Sequence, residues 1–290
     1  MSDQASNLRE FIRDNKRGAR VFAVTSGKGG VGKTSTSINL AIALAQRQSR
    51  VVVLDADLGL ANVEVMLGLN SVYNLQHVIT NERSMMDILV QGPGGIEIVP
   101  GSSGIARMVD LGPRARQNVL NGLRDLQAKT DFIIIDTMAG IGQNAVAFAA
   151  AADEVLLIST PEPSSIVDAY ATAKTIFQLR EDAFIRLIVN QAGSAQQAQA
   201  VADKLVAVAQ QFLARKLHFL GWIPRDPHVQ QGIMQSYPFY LRFPHAPASK
   251  ALDEISERLH QQRPQTVDRQ RAGGGFFRRI AENLGLAGNG

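Results

Sequence analysis

Cysteine is absent from all 290 residues. A disulfide framework, an iron–sulfur carrier, a Cys-based zinc site and a thiol nucleophile are excluded together. Long apolar runs are missing too. A membrane-spanning helix needs roughly 18 consecutive apolar residues, and the nearest approach, 145–152, is eight small residues ended by Asp153. The first residues include Asp3, Gln4, Asn7, Arg9 and Glu10 and lack the apolar core of an export signal. A soluble, cytoplasmic chain is the expectation. Strong charge of one sign is also lacking: the formal net charge of +4 is too mild to announce a nucleic-acid binder.

That small excess is unevenly placed. Residues 1–20 hold five basic and three acidic side chains, and residues 263–290 hold five and two. The stretch between them holds twenty basic and twenty-one acidic groups, so the excess belongs to the two ends.

What is present is an α/β pattern. The length allows one large α/β domain or two small ones at ~100–200 residues each. Short, mostly continuous apolar runs at 20–25, 50–55, 96–99, 132–136, 154–159, 184–190 and 218–223 suit parallel strands buried on both faces. Helical patterns lie between and after them at 33–46, 113–129, 143–151, 164–179, 195–213 and 245–262. The alternation predicts a mostly parallel twisted sheet with helices on both faces and right-handed crossovers. The polar stretch around 263–275 ends in Gly273, Gly274 and Gly275 and reads as a linker. The organisation expected is an arm over 1–19, a body over 20–262, the linker, and a short amphipathic helix over 276–287.

Directly after the first strand comes Gly27-Lys28-Gly29-Gly30-Val31-Gly32-Lys33-Thr34, followed by Ser35. It fits the phosphate-binding pattern G-x-x-x-x-G-K-[ST] in its required strand–loop–helix context. Successive N–H groups of such a loop form an anion nest, and the next helix adds its positive end. Lys33 would reach the β- and γ-phosphates, and the Thr34 hydroxyl would ligate Mg²⁺. The fold class expected is therefore a three-layer P-loop NTPase.

Lys28, a second lysine inside the loop, resembles the signature of the deviant-Walker family that includes the MinD and ParA ATPases. The resemblance implies a dimer that sandwiches ATP, with Lys28 reaching the partner's phosphates. A cation supplied across an interface stabilises charge on the transferring phosphoryl group. Residues 55–62, D-A-D-L-G-L-A-N, resemble the second nucleotide motif of this family. The resemblance assigns Asp55 to the Mg²⁺ shell and Asp57 to the attacking water. The apolar run 132–135 ending in Asp136 has the Walker B pattern, with Asp136 holding Mg²⁺ or its water. Met138 stands where the family more often has proline. Residues 159–170 resemble the T-x-P-E-P-x-x-x-x-D-A-Y element of MinD-like proteins. Asn190 together with Ile223, Pro224, Arg225 and Asp226 resembles the strand ends that hold adenine. Asn190 offers an amide donor and acceptor to a base edge, although asparagine after a strand also serves as a turn former.

The two ends carry separate signals. As a helix, Phe276, Phe277, Ile280, Ala281 and Leu284 share a face flanked by Arg278 and Arg279, a pattern suited to an anionic membrane interface. The open alternative is a helix docked on the protein's own surface. MinD-like proteins carry a comparable tail. The segment Asp3-Gln4-Ala5-Ser6-Asn7-Leu8-Arg9 resembles the start of the FlhG branch of this family, which controls flagellar number and placement. That resemblance implies that Asp3, Gln4, Ala5, Leu8 and Arg9 activate the partner GTPase FlhF.

The function expected is an Mg²⁺-dependent ATPase that dimerises with ATP and binds the cytoplasmic membrane peripherally. Its cofactors would be ATP and Mg²⁺, and its catalytic residues Lys28, Lys33 and Asp57. Partners implied by the resemblance are a second copy, FlhF, flagellar switch-ring proteins and, in some relatives, a flagellar transcription regulator. Division-site positioning of the MinD type is an alternative, disfavoured by the N-terminal arm. DNA segregation of the ParA type is another; direct DNA binding is disfavoured because the body lacks a basic excess.

Overall fold

Every apolar run singled out above forms a strand. The computed structural model describes residues 18–56, 62–101 and 111–262, and in the C-terminal segment Phe276, Arg279, Ile280 and Asn283. The strands are β1 (Arg20–Ser26), β2 (Val51–Ala56), β3 (Val90–Gln91), β4 (Glu97–Val99), β5 (Phe132–Ala139), β6 (Glu154–Ser159), β7 (Ile185–Ala192) and β8 (His218–Pro224). They form one sheet in the order β3-β4-β2-β5-β1-β6-β7-β8. All neighbours pair in parallel except β3 with β4. The sequence reading missed β3, because two residues are too few to show a period.

Side chains alternate across each strand, so each feeds two cores. Val21, Ala23, Val52, Leu54, Ile133 and Ile135 pack into one. Phe22, Val24, Val51, Val53 and Ile134 pack into the other. The first core is closed by α4 (Pro113–Lys129), α5 (Gln143–Ala151), α6 (Pro163–Leu179) and α7 (Ala195–Leu213). The second is closed by α1 (Lys33–Ala45) and α10 (Pro247–Gln261). Shorter helices are α2 (Asn62–Leu67), α3 (Leu75–Ile79), α8 (Pro227–Met234) and α9 (Phe239–Arg242). The chain leaves β1 towards β2 and β4 on one side, then reaches β6, β7 and β8 on the other. Such a reversal opens a crevice at the carboxyl ends of the strands, where ligands bind in open α/β sheets.

The opposite end of the sheet is pinned by a buried ion cluster. Glu154, 1% exposed, pairs with Arg20 on β1 and with Arg186 on β7. The two guanidinium groups also donate to the carbonyl of Gln262 at 3.3 and 3.2 Å. Arg20 Nη1 donates to the Leu259 carbonyl at 2.5 Å. The end of α10 leaves four carbonyls without helical partners, and these arginines satisfy two nearby ones.

The C-terminal residues are docked on the protein's own surface, the alternative left open above. Phe276 and Ile280, assigned above to a membrane, are fully buried in the first core. Arg279 Nε donates to the Ala151 carbonyl at 2.6 Å, and its Nη2 bonds Asp153 Oδ1 at 2.8 Å. Asn283 Nδ2 donates to the Ala147 carbonyl at 3.2 Å. The cause lies in α5, whose run of alanines presents a smooth apolar flank. Its last carbonyls, unpaired within the helix, attract the arginine. Phe277, Arg278 and Leu284 lie outside the described residues, as do Asp3, Gln4, Ala5, Leu8 and Arg9. Among the described residues no helix is long and apolar enough to cross a membrane.

Candidate functional site

The loop from Gly27 to Thr34 joins the end of β1 to the start of α1 in the crevice. Its glycines are needed for backbone shape and for close approach. Gly30 and Gly32 have φ of 76° and 91°, in the left-handed region that side chains disfavour. A Cβ on Gly27 would lie 2.2 Å from the Asp168 carbonyl oxygen. Helix α1 has no side-chain cap at its N-terminus. Its first amides, without partners inside the helix, are suited to an anion.

Four oxygen-bearing side chains gather beside Lys33. Thr34 Oγ1 donates to Asp136 Oδ2 at 2.5 Å, and Ser37 Oγ donates to Oδ1 at 3.0 Å. Asp55 on β2 stands opposite Asp136 in the sheet register and accepts the Val63 amide at 3.1 Å. Burial pushes the Asp136 carboxyl up to about 7; the Asp55 charge adds to this, and the Thr34 bond, Lys33 and the Ser37 bond oppose it. A hydroxyl and two carboxylates are the hard oxygen donors that Mg²⁺ prefers, and a divalent ion would return Asp136 to its charged form. Asp57 lies outside the described residues.

Lys28 points away from this cluster. Its Nζ contacts Glu162 Oε2 at 2.5 Å and Ser164 Oγ at 3.0 Å. The bond and charge of Lys28 hold the Glu162 carboxyl below its ordinary value. The glutamate of the Pro161-Glu162-Pro163 element thus serves as the partner of the loop lysine.

A cavity of about 550 Å³ opens beyond the loop. It is lined by Gly30, Gly32 and Ser35 on one side and by Asn190, Ile223, Pro224, Arg225 and Asp226 on the other, so all five adenine candidates meet here. Ser35 Oγ, buried on its wall, has no hydrogen-bond partner among the described residues and is a hydroxyl that a bound phosphate could satisfy. Gln191, Pro227, Val229, Gln230 and Ile233 also line it and were missed.

Two of the adenine candidates also have partners within the chain. The Asp226 carboxylate is committed to helix starts: it accepts the His228 amide and the Ala248 amide, each at 3.0 Å. Asp226 followed by Pro227 is an N-cap with proline at the first helical position, a signal readable in the sequence. Asn190 donates to the Val31 carbonyl at 2.7 Å and accepts the Gln191 amide at 2.9 Å, so its amide is already engaged with the phosphate loop.

The family model for ParA, described as the NUBPL iron-transfer P-loop NTPase, matches residues 18–260. The chain belongs to the MinD/ParA family of P-loop ATPases. Within this family it is similar to the antiactivator FleN of Pseudomonas aeruginosa, 42% identical over 240 residues that cover 83% of this chain and 86% of that one. The flagellum site-determining protein YlxH of Helicobacter pylori is 32% identical, covering 88% and 90%. Among solved structures, MinD of Pyrococcus horikoshii complexed with Mg-ADP aligns with a TM-score of 0.66, covering 84% of this chain and 96% of that one; at 24% identity the likeness concerns the fold. The MinD/ParA match spans the strands, the loop and the cavity, and it stops where α10 ends.

Proposed function

We propose that this chain is an Mg²⁺-dependent ATPase that dimerises around ATP and regulates flagellar number and placement from the cytoplasmic membrane. The observation that carries the reading is Lys28. It is a second cation of the phosphate loop, partly exposed, and paired with Glu162 rather than with the Asp136 cluster. A lysine so placed is free to exchange its carboxylate for a phosphate of a facing protomer. The flagellar part rests on the likeness to FleN and YlxH.

In this reading, residues 27–35 cradle the phosphates and Lys33 binds the β- and γ-oxygens. Thr34, Asp55 and Asp136 would hold Mg²⁺, which neutralises charge on the phosphate oxygens when bound. Asp57 orients the attacking water in line with the γ-phosphate. Ile223, Pro224 and Arg225 enclose the base. The apolar face that includes Phe276 and Ile280 leaves its seat on α5 to meet an anionic membrane, and two such helices in a dimer bind far better than one. The arm with Asp3, Gln4, Ala5, Leu8 and Arg9 stimulates FlhF. Switch-ring proteins, and a flagellar transcription regulator where one is present, are the further partners.

Counting flagella in cells lacking the gene, complemented with wild type or Lys28→Ala, tests the reading. Altered number or placement restored by wild type alone is expected. Normal flagellation in the deletion strain contradicts it. Pelleting with anionic liposomes, with ATP and with ADP, tests the membrane step. FlhF GTP turnover with and without residues 1–15 tests the arm.

A further inference from the structure

Two adjacent side chains at the end of β7 grip the phosphate loop from the wall of the base cavity. Asn190 is 8% exposed, and its Nδ2 donates to the Val31 carbonyl at 2.7 Å. Its Oδ1 accepts the Gln191 amide at 2.9 Å, which fixes which way the amide faces. Gln191 Nε2 reaches the Gly30 carbonyl at 3.4 Å. A Cβ at Gly32 would lie 2.5 Å from Asn190 Nδ2, so the amide rests against the loop where a side chain is missing.

The backbone is shaped for this grip. The β7–β8 register shifts between Asn190 and Ala192, leaving Gln191 as the extra residue. Its φ of 59° is left-handed, a costly conformation for glutamine. Bulges of this kind re-aim a side chain; here the neighbouring side chains Asn190 and Gln191 both reach the same loop.

An anion nest needs successive N–H groups turned inward and the intervening carbonyls turned away. Gly30 and Val31 lie in the middle of the loop, between glycines that permit a peptide flip. Capturing both carbonyls opposes the flip that would turn them towards the phosphates. We infer that Asn190 and Gln191 are positioning residues that hold the phosphate loop in its anion-binding shape and join it to the base cavity as one unit. Asn190 keeps one N–H and one lone pair for a base edge, so the tie and a base contact coexist. The inference rests on the nucleotide-binding reading above.

Hydrogen exchange on the full chain without nucleotide tests the tie. In Asn190→Ala the amides of 27–34 are expected to exchange roughly threefold to tenfold faster, the range one net hydrogen bond supplies. Amides of β5 and β6 should keep wild-type rates. Should Asn190→Ala unfold, Gln191→Asn carries the test, because it keeps a residue tolerant of the left-handed turn and shortens the reach. Wild-type loop exchange in the folded variants overturns the inference. Displacement of a fluorescent ATP analogue by inorganic tripolyphosphate adds a second readout. The tie predicts that tripolyphosphate weakens along with ATP; loss of ATP affinity with unchanged tripolyphosphate makes Asn190 a base reader only and overturns it. Failure of the wild type to bind Mg·ATP refutes the nucleotide reading separately, since loop exchange is still measured.

Discussion

Lys28 Nζ lies 2.5 Å from Glu162 Oε2 of the same chain. The ion pair holds the loop lysine at the N-terminus of α6, where it also reaches Ser164; in the proposed dimer this parks it away from the facing protomer. Glu162→Gln removes the competing charge, so the ATP-dependent dimer should form at lower protein concentration. The shift should be at most about fivefold, because exposed pairs contribute little. Sedimentation velocity with a non-hydrolysable ATP analogue reads it, and a midpoint moved to higher concentration contradicts the parking role.

Asp136 makes a pH prediction. Its carboxyl sits at about 7 in the folded chain against an ordinary 3.8. The folded state therefore holds a proton that the unfolded state has lost, and metal-free stability falls as pH rises from about 4 to about 7. Asp136→Asn should flatten this slope. At pH 8 it should stabilise the metal-free protein by on the order of a few kcal/mol while abolishing turnover. Denaturant midpoints at pH 5 and pH 8 check it; an unchanged slope contradicts it.

Phe276 reports on the docked C-terminus. A helix waiting free for lipid adds nothing to the stability of the body. One seated in the core adds its docking energy, so Phe276→Ala should lower the thermal midpoint by about 2–4 °C for each kcal/mol lost. An unchanged midpoint would return this helix to a free state.

Glu154 is buried between Arg20 and Arg186. Glu154→Ala leaves two guanidinium groups without their counter-charge and should cost roughly 3–5 kcal/mol in denaturant unfolding. Joint replacement of all three by apolar residues of similar volume should recover much of it.

Seven of the eight strands and the phosphate loop were legible in the sequence from local pattern, apolar runs and glycine spacing, whereas the place of Asp55 beside Thr34 and Asp136 came from the family resemblance of its strand end. Long-range pairing was not legible. Nothing near Lys28 announces Glu162, more than a hundred residues away, as its partner. Asp226 lines the base cavity as expected, but its second role as a helix cap, marked by its Pro227 neighbour, went unread. The stripe with Phe276 and Ile280 suits lipid and protein equally; the choice depends on the alanine flank of α5, which only the fold brings to it.

The most direct measurement is phosphate release per chain as protein concentration rises, for wild type and Lys28→Ala, both shown to bind Mg·ATP. A lysine that acts across a dimer predicts specific activity that climbs with concentration in wild type and stays near zero in Lys28→Ala. Specific activity independent of concentration, with Lys28→Ala as fast as wild type, would contradict the account.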